Sequence, residues 1–133
     1  MTSLDDLKGG LYMNSIFAIS LLVSGTAYAA SQQWVKPIDI SGHVPGSVKQ
    51  IGSTIDAIAK NVASCIGAGK SRNECICSQK NGHARLRTLY NKTLSEHSKW
   101  RNSAVSYREG DVQHFVSFEA IELQLRQYDE LCK

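Results

Sequence analysis

Four cysteines carry the most chemistry in this 133-residue chain: Cys65, Cys75, Cys77 and Cys132. The Cys75-Ile76-Cys77 spacing would let two thiolates share a soft metal ion or cycle as a redox pair, with Cys65 or His83 as a further ligand. It matches no strong zinc pattern, however. An even number of cysteines in a short chain behind an export leader reads instead as a disulfide framework. Cys65 and Cys75 flank one turn, each on the apolar stripe of its helix, where Cα atoms can approach to about 5.5 Å. The expected pairing is therefore Cys65–Cys75 with Cys77–Cys132, and the rival is Cys65–Cys77 with Cys75–Cys132. A continuous helix would point Cys77 away from the buried face, so the preferred pairing requires a helix break near Asn81-Gly82.

A thiol enzyme would need a reduced cysteine beside a base. His83, His97 and His114 are the available imidazoles, with His43 nearer the N-terminus. On facing helices His97 and His114 would stand about 12 Å apart along the axis, too far to share a metal, and are expected as packing residues. The chain has no paired-carboxylate constellation, G-x-S-x-G, phosphate loop or H-E-x-x-H. The expectation is a protein that is not an enzyme and takes no cofactor or metal.

Charge is unevenly laid out. Residues 70–108 hold nine bases against Glu74 and Glu96, a net of +7, whereas residues 111–133 carry a net of −3. Arg85, Arg87, Lys92, Lys99 and Arg101 are the candidate partner-binding residues of a basic face. Such a face suits another protein or an anionic envelope component. The plainer reading is two solvated helix faces that attract each other weakly. The chain after residue 29 has 14 Lys and Arg against 10 Asp and Glu, a net of +4, too mild for a nucleic-acid protein. Asn91-Lys92-Thr93 is also a glycosylation sequon, meaningful only in a eukaryotic secretory pathway.

The elements that must position these residues begin after a leader. Ile16–Val23 is an apolar run of signal-peptide length, and Ala27-Tyr28-Ala29 supplies the small-x-small cleavage pattern. Residues 1–29 are thus expected as a signal peptide cut before Ala30, with Met13 as an alternative start and an uncleaved anchor as the alternative fate. The protein would touch a membrane only transiently, through that leader, and be periplasmic or secreted. Residues 30–46 hold both prolines and no helical period, so they read as an extended arm, docked on the domain or free for a partner.

Residues 47–133 read as the disulfide-stabilised helical domain. Ser47-Val48-Lys49-Gln50 has the form of a capping box. Val48, Ile51, Ile55, Ile58, Val62 and Cys65 then recur at steps of 3, 4, 3, 4 and 3, one face of a helix that Gly67 and Gly69 stop. Ser71-Arg72-Asn73-Glu74 opens a second helix. Its stripe runs through Leu86, Tyr90, Thr93, His97, Trp100, Ala104 and Tyr107, towards residue 108. After the Glu109-Gly110-Asp111 turn, with Asp111 as N-cap, a third stripe runs through His114, Phe118, Ile121, Leu125, Tyr128 and Cys132. With no strand pattern of useful length, the fold class expected is all-α: a small antiparallel bundle of about three helices stapled by disulfides.

Cys65, Cys75 and Leu86-Arg87-Thr88-Leu89-Tyr90 resemble small exported helical proteins of the periplasmic lysozyme-inhibitor type. That family's closing tryptophan-and-arginine helix has no counterpart in Tyr128–Cys132, so no function is carried over. The function expected is a small exported, non-catalytic binding protein of the cell envelope or secretome, an inhibitor or immunity-type module. The alternative is a metal- or redox-handling periplasmic protein using Cys75 and Cys77.

Overall fold

A computed structural model describes residues 36–133, all within the unit Val35–Lys133; the expected leader and the first residues of the expected arm lie outside the described residues. In chain order the elements are β1 (Ile38–Asp39), α1 (Gly46–Gly67), α2 (Arg72–Cys77) and α3 (Lys80–Glu96). A 3₁₀ turn (Ser98–Trp100), β2 (Ala104–Glu109), β3 (Val112–Ser117) and α4 (Phe118–Leu131) follow.

The all-α expectation is therefore wrong. Four helices stand beside a mixed sheet of order β1-β2-β3, parallel between β1 and β2 and antiparallel between β2 and β3. The helical stripe that seemed to continue through Trp100, Ala104 and Tyr107 is fortuitous. The intervening Val105 and Ser106 are buried as well, so Ala104–Tyr107 forms an uninterrupted buried run in a strand. Val112, Phe115 and Val116 then supply β-branched and aromatic residues to its partner. Gly110-Asp111, between the paired residues Glu109 and Val112, is a two-residue hairpin loop. Gly110 takes φ +63° there and no other described residue of that loop has positive φ, as a type II′ turn requires. Asp111 is consequently a turn residue and not a helix cap.

α1 begins earlier than its sequence cap. Pro45, extended at φ −60° and ψ 142°, precedes the helix, and its carbonyl accepts from the Val48 N–H at 3.0 Å. Ser47 is buried inside the first turn, and its hydroxyl is hydrogen-bonded to that of Thr93 of α3 at 2.8 Å. Ser71 does cap α2, its oxygen accepting from the Glu74 N–H at 3.2 Å. The chain leaves the helical path at Gln79 (φ −91°, ψ 45°), so the break expected at Asn81-Gly82 falls just before them, and both lie in the first turn of α3. α3 ends at Glu96, well short of residue 108, because His97 (φ −135°, ψ 63°) leaves the helix. Ser117 caps α4 by accepting from the Ala120 N–H at 3.2 Å.

The core lies where α1, α3, the sheet and α4 meet. Val48, Ile51, Leu86, Val105 and Phe118 are fully buried there, with Tyr90, Leu94, Ile121 and Leu125 around them. The described part of the arm is docked: the Ile40 N–H donates to the Ser106 carbonyl at 2.8 Å, and the Arg108 N–H donates to the Ser41 hydroxyl at 3.1 Å. No helix among the described residues is long and apolar enough to cross a membrane.

Candidate functional site

The cysteines form the two expected bridges. Cys65–Cys75 joins α1 to α2 with a Cα separation of 5.6 Å, and Cys77–Cys132 ties the end of α2 to the end of α4 at 5.5 Å. Cys75 and Cys77 thus belong to different bridges, and no cysteine is left as a thiol. The arrangement that a metal or redox pair would need is absent from this oxidised form.

Three of the four histidines are stacked on aromatic rings, and His43 is exposed. His83 is buried, stacked on Tyr128 at 3.9 Å, with Nδ1 2.8 Å from the Gln79 carbonyl. Burial pushes its imidazole below the ordinary value, against the opposing pull of that carbonyl. His97 stacks on Trp100 at 3.9 Å, and His114 stacks on Tyr107 at 4.7 Å while its Nε2 lies 3.3 Å from Glu109.

The five candidate bases do not share one face. Arg85 and Lys92, seven residues apart, are exposed on the same outward side of α3. Arg87 is turned about 200° from Arg85, and its guanidinium meets Asp129 of α4 at 2.6 Å. Lys99 lies on the 3₁₀ turn and Arg101 just after it, both exposed.

Arg87 thereby marks a cleft of about 170 Å³ between α3 and α4. Its α3 wall is Arg87, Tyr90 and Asn91; its α4 wall is Glu122, Leu125, Arg126 and Asp129. The walls are built by helical spacing: Arg87 and Asn91 are four apart, as are Glu122 and Arg126, which pair at 3.3 Å. Tyr90 is 6 % exposed, and its hydroxyl is buried with no hydrogen-bond partner among the described residues. Burial raises the Tyr90 phenol above its ordinary pKa, Glu122 pushes the same way, and Arg101 and Arg126 oppose them. These four groups therefore share one local field.

No protein family, curated protein or solved structure matches this chain. The site accordingly stands on its own geometry.

Sequence reasoning placed Tyr90 only as a stripe residue and counted Glu122, Arg126 and Asp129 only towards the net charge of residues 111–133. Their signal was present as an acid-base-acid pattern on the outer side of the third apolar stripe. It acquires meaning only once α3 and α4 are known to run side by side. Among the described residues no group of three or more His, Cys, Asp or Glu is placed to hold a metal ion.

Proposed function

We propose that this chain is a small exported, non-catalytic binding protein of the cell envelope or secretome, an inhibitor or immunity-type module whose exposed bases, Arg85 and Lys92 of α3 foremost, take an acidic protein surface. The observation that carries this reading is the absence of internal neutralisation. Of the nine bases between residues 70 and 108, only Arg87 forms an ion pair among the described residues. Had the basic and acidic segments served mainly to attract each other, several such pairs would span α3 and α4. The remaining cations, Arg85, Lys92, Lys99 and Arg101 among them, present an uncompensated field that would steer an acidic partner and speed its encounter. Two disulfides support an oxidising, exported setting. The cleft adds to this reading, since about 170 Å³ suits one side chain of a partner better than an enclosed substrate.

The test is capture from envelope extracts of the producing cells, with the disulfide-bonded protein immobilised. A stoichiometric protein partner held at low salt, released at high salt and lost with the double variant Arg85→Glu/Lys92→Glu is expected. Equal capture by that variant, or no partner at all, overturns the proposal.

A further inference from the structure

We propose that the cleft between α3 and α4 is a carboxylate-binding site, in which the Tyr90 hydroxyl and the Arg126 guanidinium together take an acidic side chain of a partner protein. The proposal rests on the binding function above and names the group that this function would recognise.

The first observation is the Tyr90 hydroxyl. It is buried without a hydrogen-bond partner among the described residues, on a residue that lines the cleft. A buried polar group left unpaired is disfavoured, and native proteins rarely keep one without a reason. A phenol that meets no acceptor within its own fold is completed by an acceptor from outside.

The second observation is what surrounds that hydroxyl. Glu122, Arg101 and Arg126 are the charges that bear on it, one carboxylate against two guanidinia. The charges lining the cleft balance, Arg87 and Arg126 against Glu122 and Asp129, and Arg101 is the further cation that acts on the phenol. The two guanidinia acting on the hydroxyl outnumber the one carboxylate, and a guanidinium fork matches a carboxylate in geometry.

The third is that Glu122 already shows a carboxylate seated on Arg126. Its carboxylate lies 3.3 Å from the Arg126 guanidinium, with both side chains well exposed, so this pair is held weakly and can open. An incoming carboxylate would take the place beside Arg126 that Glu122 now holds and accept a hydrogen bond from the phenol as well. Arg87 is engaged at 2.6 Å by Asp129 and stays as the wall, while Asn91 offers its amide at the mouth.

The test titrates the isotope-labelled, disulfide-bonded protein with N-acetyl-glutamate amide and, separately, N-acetyl-glutamine amide, following backbone and arginine side-chain NMR signals. Saturable shifts confined to Arg87–Asn91 and Glu122–Asp129, given by the glutamate probe alone, are expected. Tyr90→Phe should weaken that binding about tenfold or more, the size of a hydrogen bond to a charged group, and Arg126→Gln should do so too. Because the hydroxyl has no internal partner, Tyr90→Phe should not lower the unfolding midpoint and, by removing an unpaired buried group, should raise it. A lowered midpoint would mean that Glu122 satisfies the phenol in solution, and would overturn the proposal. Equal binding of the glutamine probe, or no shift in the cleft, overturns it as well. Acetate binding as tightly as the peptide-like probe would assign the cleft to a free small acid and overturn the partner-side-chain source. If a captured protein partner is lost with Arg85→Glu/Lys92→Glu yet kept by Tyr90→Phe, the binding function stands and the cleft proposal fails.

Discussion

Gly82 of α3 crosses Ile58 of α1 so closely that a β-carbon on Gly82 would stand 2.8 Å from the Ile58 Cγ1 atom. The glycine is a contact surface between two helices, with no turn at that position.

The first prediction follows from that contact. Gly82→Ala gains helix propensity of under about 1 kcal/mol but forces Ile58 to shift, and overpacking a core costs about 1–3 kcal/mol. Packing wins, and the variant should lose about 1 kcal/mol in denaturant unfolding under oxidising conditions. Gly52, inside α1 with nothing within 4 Å of its Cβ position, is the control. Gly52→Ala should stabilise by about 0.5–1 kcal/mol. A stabilised Gly82→Ala would show that the helices are free to move apart.

The same glycine shows what the sequence could and could not reveal. Asn81-Gly82 has the composition of a turn, and a break in that neighbourhood was needed for the Cys77–Cys132 bridge. The bridge is present, and the break lies at Ser78-Gln79, where no residue type announces it. The stripe from Val48 to Cys65 marked α1 well, because a period sustained over five turns is hard to produce by chance. The hairpin was missed because Trp100, Ala104 and Tyr107 happen to keep helical steps across a strand. Gly110-Asp111 between Val105-Ser106-Tyr107 and Val112–Val116 was the overlooked sign. The cleft was illegible for another reason: Arg87 and Asp129 lie 42 residues apart, and only the packing of α4 on α3 joins them.

Buried hydroxyls give a second prediction. Ser47 and Thr93 are 46 residues apart in sequence, and their hydrogen bond fastens the start of α1 to the last turn of α3. Ser47→Ala and Thr93→Val should each cost about 1–2 kcal/mol, since each leaves a buried hydroxyl or carbonyl less well satisfied. The double variant should cost less than the two together, a coupling of about 0.5–1 kcal/mol in a double-mutant cycle. Strict additivity would mean that the two hydroxyls do not interact in solution.

The two bridges should differ in worth. Cys65–Cys75 closes a separation of 10 residues and Cys77–Cys132 one of 55. Loop-closure entropy then predicts about 2.7 kcal/mol for the short bridge and about 4.2 kcal/mol for the long one. Cys77→Ser/Cys132→Ser should accordingly lower stability more than Cys65→Ser/Cys75→Ser, by about 1.5 kcal/mol on the same scale. The fully buried Cys75 works against this order, because serine there adds a desolvation cost to the short-bridge variant. Replacing both partners of each bridge by alanine removes that complication, and the order of those two variants decides the matter.

The buried imidazole sets a pH dependence. His83 is depressed below its ordinary value of 6.5, burial being the larger cause, with the Gln79 carbonyl opposing it and Arg87 adding to it. Asp129, which faces the ring from α4, pulls the other way. Because the folded pKa lies below the unfolded one, the unfolded chain binds the proton more readily. The contribution of neutral His83 is therefore complete above about pH 6.5 and is lost as pH falls from there towards the folded value. Unfolding free energy measured in denaturant should be lower at pH 5.5 than at pH 8. His83→Gln, which keeps a donor for the Gln79 carbonyl and cannot titrate, should flatten that part of the profile. Equal stability at the two pH values in the wild-type protein would mean that the imidazole is protonated as easily in the folded chain as in water.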